Sequence, residues 1–375
     1  MPGSLATYDV VVAGLGGFGS SAAAHLAGRG LRVLGLDPRP GAHAEGASHG
    51  ESRIVRQVYF EGASYVPLLR RTFELWADVR TPSGDPVMRT TGALYLGAPG
   101  TRVLGGSIET AREWGLEHEV LDHAEVAARF PAMRPPVGTQ GLYEPAGGLV
   151  GPEAAVAAAL RRAAAAGAEL RHDEAVRSWS VEGDGVRVHT SRGSVTAGAL
   201  VLAPGRWTPP LLGDLSLPLV TERRVQHWYA APAPADFAPG QFPVWIWDLA
   251  GGTSLYGVPA LTDGLVKAAV HFSADRPADT WSADDVADTL ARLMPLLGRD
   301  HRREAECWYT LTPDEHFVIG PHPASDRVLL ACGFSGHGFK FTPVVGEVLA
   351  DLVVDGSTTY DLTLFDPQRF GARAS

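Results

Sequence analysis

Apolar and polar residues are patterned along this chain in three different ways. Near the start, Tyr8 to Ala13 (YDVVVA) is a short apolar run rich in β-branched residues, as expected of a strand buried on both faces. It leads into Gly14, Gly16 and Gly19, spaced G-x-G-x-x-G. The Ala-rich stretch SSAAAHLAGRG follows and predicts a helix ended by Gly28 and Gly30. Leu31 to Leu36 reads as a second strand with Asp37 at its tip. Towards the other end, residues 326–356 (DRVLLACGFSGHGFKFTPVVGEVLADLVVDG) repeat the order of strand, glycine-rich turn and helix. Between these units, roughly 86–141 and 214–312 alternate apolar and polar positions with the period of two that belongs to an antiparallel sheet.

The first unit is strand, turn, helix, strand, acid, and each glycine has a mechanical reason. One makes the tight turn, one lets the backbone approach a pyrophosphate, and one lets helix pack closely on strand. Asp37, roughly 20 residues on, is placed to accept hydrogen bonds from an adenosine ribose. The pattern predicts dinucleotide binding without choosing between NAD and FAD. The second glycine-rich turn favours FAD, the longer cofactor gripped at both ends, and its N–H groups at a helix start suit negative charge on a reduced ring. GFSGH in that turn departs from G-x-S-x-G at its last position, so Ser335 is not read as a nucleophile.

A chain of 375 residues exceeds what one hydrophobic core usually serves. The predicted fold is α/β: a Rossmann-like FAD-binding domain (1–85, 142–213 and 313–375) with an antiparallel-sheet substrate domain (86–141 and 214–312). A hydrophobic content of 45% suits packed globular domains, and no apolar run approaches a membrane span. The net charge of -10 disfavours nucleic acid. Two cysteines without a CxxC argue against a disulfide framework or a structural zinc site, so no metal is expected. MPGSLAT has neither basic flank nor apolar core, which leaves a cytoplasmic enzyme as the expectation. HRRE (301–304) reads as a solvated helix end or loop.

The stretch after Asp37 leads to SHGESRIVR, with Arg53 and Arg56 three apart. If they open a helix they share a face. They are then either surface arginines meeting carboxylates, or two fixed cations beside the cofactor. Cys307 stands in AECWYT, either an inert buried thiol or a reactive one, and Cys332 in VLLAC reads as a small core residue. Lys267 stands in the apolar strand GLVKAAVHFS on the same face as His271, and either snorkels to solvent or has a buried partner.

SHGESRIVRQVYFEGASYVPLLRRTFELW, LVLAPGRWT, CWYTLTPDEHFVIG and GFSGHGFKFTPVVGEVL resemble, in order and spacing, stretches of the monomeric sarcosine oxidase and N-methyl amino acid oxidase family. These are FAD-dependent amine oxidoreductases of the D-amino acid oxidase type, and the resemblance covers nearly the whole chain. It implies a monomer that oxidises the C–N bond of a secondary amino acid, N-methyl or cyclic, by hydride transfer to flavin. O2 is reduced to H2O2 and the imine is hydrolysed. By the same resemblance Cys307 carries the flavin as a thioether, with His49 and Arg53 as neighbouring cations. Lys267 activates dioxygen, His271 and Tyr309 line the pocket, Arg56 and Lys340 hold the substrate carboxylate, and Tyr256, Ile246 and Trp247 complete the wall. Gly17, Phe18, Arg39, Ser48, Ser52, Val176, Gly336, Gly338 and Phe339 join Gly14, Gly16, Gly19 and Asp37 around the cofactor. Trp245, Ile246 and Trp247 stand where the sarcosine enzymes carry a less bulky segment, which predicts an apolar wall and a substrate larger than sarcosine. The rival readings are a D-amino acid, glycine or biosynthetic imino acid oxidase on the same fold, an NAD-dependent dehydrogenase, and a flavoprotein that is not an oxidase.

Overall fold

The computed structural model describes residues 7–371, so all of MPGSLAT but Thr7 lies outside the described residues. The nucleotide unit forms as patterned: β1 (Tyr8–Ala13), α1 (Gly17–Gly28) and β2 (Val33–Leu36). The chain then crosses through β3 (Arg53–Val55), α2 (Val66–Ala77), β4 (Met88–Thr90), β5 (Ala93–Gly97), α3 (Arg102–Glu113), β6 (Glu119–Asp122), α4 (His123–Arg129), β7 (Gln140–Glu144) and β8 (Gly148–Val150). It returns as α5 (Pro152–Ala165), β9 (Glu169–Arg171), β10 (Val176–Glu182), β11 (Gly185–Thr190) and β12 (Gly193–Leu202). A second excursion makes β13 (Val220–Ala230), β14 (Val244–Leu249), β15 (Thr253–Val258), β16 (Leu265–Phe272), α6 (Ala283–Leu293) and β17 (Asp300–Leu311). The chain closes with β18 (Val318–His322), β19 (Ser325–Cys332) and α7 (Thr342–Asp355).

The first sheet runs β10-β11-β12-β1-β2-β9, with β19 beside the second half of β12 and β18 beyond it. Its central strands are parallel and apolar on both faces. Val10 and Val12 pack with α1 and α7, while Val11 and Ala13 meet Val186, Val188 and the 211–217 segment. The second sheet runs β17-β13-β16-β15-β14-β5-β7-β6 and is antiparallel except where β5 meets β14. A three-stranded sheet, β3-β8-β4, forms a seam between them. β4, assigned from sequence to the substrate part, pairs with β8 of the other part.

Several local readings change. The segments read as alternating strands also contain α3, α4 and α6. Two of those helices carry capping boxes, Asp122 with Glu125 and Ser282 with Asp285, a short-range start signal that the period-two reading passed over. HRRE lies inside β17 rather than in a helix end or loop. Arg53 opens β3 and Arg56 follows it, so the two do not share a helix face.

Candidate active site

The site is a single cavity of about 540 Å³ that begins at the β1–α1 turn and ends on the second sheet. At its nucleotide end Gly14 has φ +89, and a Cβ on Gly19 would stand 1.7 Å from the Gly14 carbonyl oxygen, so only glycine permits this contact of helix and turn. The Asp37 carboxylate accepts from the backbone N–H of Leu15 (2.7 Å) and of Arg39 (2.8 Å), which fixes it at the rim. Ser48 Oγ accepts from the Gly17 N–H (3.1 Å). Gly16, before α1, has no side chain to cap the helix, so apart from the Gly17 N–H held by Ser48 the helix start keeps N–H groups for an anion.

The C-terminal turn closes on this first turn. Phe18 stacks on Phe334, and a Cβ on Gly17 would strike Phe339 and Thr342. Ser335 Oγ accepts from the Thr312 N–H and donates to the Gly333 carbonyl, which ties the C-terminal turn to the end of β17. Gly14, Gly16, Gly17, Phe18, Asp37, Arg39, Ser48 and Val176 line one part of the cavity, and Gly336, Gly338, Phe339 and Lys340 another. Gly19 supports the turn from behind.

At the far end Cys307 Sγ lies 3.4 Å from Arg53 Nη2, and both residues face the cavity. Arg53 also donates to the carbonyls of Ala47 and Ser52 (both 2.8 Å). The second cation pair is deeper. Arg56 and Lys340 are 2% and 5% exposed and both stand over the Tyr59 ring, at 4.2 and 5.0 Å from its centroid. Their counterion is Glu61, ion-paired with Arg56. Burial alone would raise the Glu61 carboxyl, but Arg56, His337 and Lys340 outweigh it and hold it down to about 2. Burial and then Arg56 pull Lys340 well below the ordinary lysine range. His271 Nδ1 and the Tyr309 hydroxyl are 3.2 Å apart, beside Tyr256 and Ile246 on the cavity wall. Burial pushes His271 well down and Tyr309 well up, so both are neutral at ordinary pH.

Four expected site residues are placed differently. Trp247, together with Trp245, points away from the cavity into a core built on α6. Alternation along β14 sends Ile246 to the cavity and its two neighbours to the opposite face. The expected tryptophan wall is therefore absent. Lys267, His49 and Ser52 lie outside the cavity lining. The Lys267 Nζ donates to the Gly50 carbonyl (2.8 Å), the Ser52 carbonyl (2.9 Å) and Ser52 Oγ (3.3 Å), so it neither snorkels nor touches the cavity. His49 is buried, and its Nε2 has no protein partner.

Sequence reading missed Gln226 and Arg206. Gln226 is 1% exposed, on the cavity, with an unpartnered Oε1. Arg206 is sandwiched between Trp207 and Trp308 at 4.5 Å from each ring, with an unpartnered Nε. Only contact between segments distant in the chain makes either visible. A trough with an anion-binding helix start at one end, a fixed acid at its rim and orphaned polar atoms at the other fits an extended dinucleotide carrying a polar ring system.

The model of the FAD dependent oxidoreductase (DAO) family matches residues 9–352. The chain is 45% identical to a monomeric sarcosine oxidase of Streptomyces avermitilis, over 98% of each chain. It is 33% identical to an N-methyl-L-tryptophan oxidase of Citrobacter koseri, over 97% of this chain and 99% of that one. Among solved structures it resembles NikD, an amino acid oxidase essential for nikkomycin biosynthesis, with a TM-score of 0.83, 27% identity, and coverage of 96% of this chain and 97% of that one. Motif, cavity and relatives agree, and the chain belongs to the FAD dependent oxidoreductase (DAO) family as an FAD-dependent amine oxidase.

Proposed function

We propose that this chain oxidises the C–N bond of a secondary amino acid, N-methyl or cyclic, with O2 reduced to H2O2 and the imine product hydrolysed. The observation that carries this reading is the pair of buried cations, Arg56 and Lys340, opening on the same cavity as Cys307. FAD bound in the cavity supplies the two-electron acceptor for hydride from the carbon next to nitrogen, and the electrons then reach O2.

The residues of the chain supply everything else. Arg56 and Lys340 hold the substrate carboxylate, and a charge-assisted pair in a dry site fixes orientation as well as affinity. Glu61 stands beside both cations, so an entering carboxylate competes with it. His271 and Tyr309 are neutral, so neither repels a neutral amine, and with Tyr256 and Ile246 they exclude water from the reacting carbon. Arg53 beside Cys307 supplies a fixed positive charge, and Cys307 is the residue that tethers the flavin. Lys267 acts by charge alone from behind the wall. Its three donors are spent on Gly50 and Ser52, and a fixed cation near the site stabilises negative charge developing on dioxygen.

The test is anaerobic bleaching of the yellow enzyme by sarcosine, N-methyl-tryptophan, proline and pipecolate, set against glycine and D-alanine. Bleaching by at least one secondary amino acid, with peroxide released on readmitting air, is expected. Reduction by the primary amines alone would overturn the proposal in favour of a glycine or D-amino acid oxidase.

A further inference from the structure

On the face of the second sheet turned away from the cavity, His227 of β13 and His301 and Glu304 of β17 bring three ligand atoms within 4.8 Å of one another. None of the three lines the cavity. We propose that this cluster is a divalent metal site built from two imidazoles and one carboxylate, suited to Zn2+ with a fourth, open position for water.

The strand geometry explains how the cluster forms. His227 stands directly opposite Glu304 in the β13–β17 ladder. Alternation puts Glu304 and Arg302 on one face and His301 on the other. The register shifts between Trp228 and Tyr229, so that Trp228 pairs with Arg303 and Tyr229 with His301, leaving Arg302 as the extra residue. Such a bulge re-aims a side chain, and here it turns His301 to the face of Glu304 and His227. Gln226 of the same strand faces the cavity, so its neighbour His227 faces the other way.

The imidazole spacing fits coordination better than hydrogen bonding. His227 Nδ1 and His301 Nε2 are 3.4 Å apart, and His227 Nδ1 and a Glu304 carboxylate oxygen are 3.8 Å apart. Both exceed the ordinary range of about 2.7 to 3.2 Å for a bonded nitrogen donor. Two nitrogens at about 2.0 to 2.1 Å from a tetrahedral Zn2+ are themselves about 3.3 Å apart, which the imidazole pair already meets. His227 is 2% exposed, so the innermost ligand of the cluster is held in the packed interior. The Glu304 side chain is 62% exposed, so the cluster opens to solvent on its carboxylate side and a metal can enter. A bound ion would join β13 to the strand that carries Cys307, three residues beyond Glu304.

The test is equilibrium dialysis and calorimetric titration of the metal-free, tag-free, flavin-loaded enzyme with Zn2+, alongside His301→Ala and Glu304→Gln. Both substitutions are on the accessible side of the cluster, and an unchanged flavin spectrum verifies that each variant is folded. One Zn2+ per chain is expected, with affinity falling by more than about tenfold, or 1.4 kcal/mol, in each variant. No Zn2+ uptake, or uptake that survives both substitutions unchanged, overturns the assignment.

Discussion

The two faces of β14 predict opposite consequences for adjacent residues. Trp247 is 2% exposed and packs against the α6 core, with its backbone opposite Leu255. Ile246, opposite Tyr256, is on the cavity wall. Trp247→Ala removes a buried indole and should cost about 3 to 5 kcal/mol, a large part of the roughly 5 to 15 kcal/mol that holds a domain folded. It should leave the choice of substrate within about twofold of the parent. Ile246→Ala opens the wall and removes three carbons' worth of apolar contact, each buried methylene being worth about 0.8 kcal/mol. Its effect should be a rise of at least about tenfold, or 1.4 kcal/mol, in kcat/KM for N-methyl-tryptophan relative to sarcosine. The assay is the ratio of the two kcat/KM values, in which the fraction of active enzyme cancels, together with urea unfolding followed by far-UV circular dichroism. A tenfold change of that ratio in Trp247→Ala, with none in Ile246→Ala, would show that β14 presents its tryptophans to the substrate and would refute the reasoning.

Three further outcomes follow from the same geometry. Acid precipitation should leave the yellow colour with the protein and a flavin-modified peptide containing Cys307, whereas Cys307→Ser should release the colour to the supernatant. In Lys267→Met, stopped-flow should find reoxidation by O2 slowed far more than anaerobic reduction. In the parent, burial and then Arg53 lower the Lys267 pKa. The charge is therefore present at low pH and lost as pH rises through that lowered value, so reoxidation should decline at a pH below the ordinary lysine range; a decline only at or above that range would contradict it. Arg56→Lys keeps the charge but loses the planar fork that reaches both Glu61 and the Val58 carbonyl, so KM for a carboxylate substrate should rise at least about tenfold, while an unchanged KM would assign carboxylate binding elsewhere.

Local order along the chain was enough to locate β1, α1, β2 and the C-terminal turn. In each, the signal is a short run of apolar residues followed by glycines whose missing side chains the turn requires. It also pointed to Cys307, Arg53, Arg56 and Lys340, which all line the cavity, because these lie in short motifs whose order and spacing resemble those of one family. The exceptions have physical causes. α3, α4 and α6 were hidden because period two and period 3.6 are hard to separate over short amphipathic stretches. Trp247 was misplaced because bulk in a sequence does not say which face of a strand a side chain takes.

What the sequence alone determined, then, is the dinucleotide-binding unit, the enzyme family and most of the residues that gather at the cavity, since each of these is written in contiguous residues. What only the tertiary structure decided is direction and company. It turns Ile246 rather than Trp247 to the cavity, and it spends the Lys267 donors on Gly50 and Ser52. It sets Glu61 against Arg56, and it carries His301 round a bulge to His227. These are relations between strands, fixed by register and pleat, and a one-residue change in either sends a side chain to the other face of the sheet.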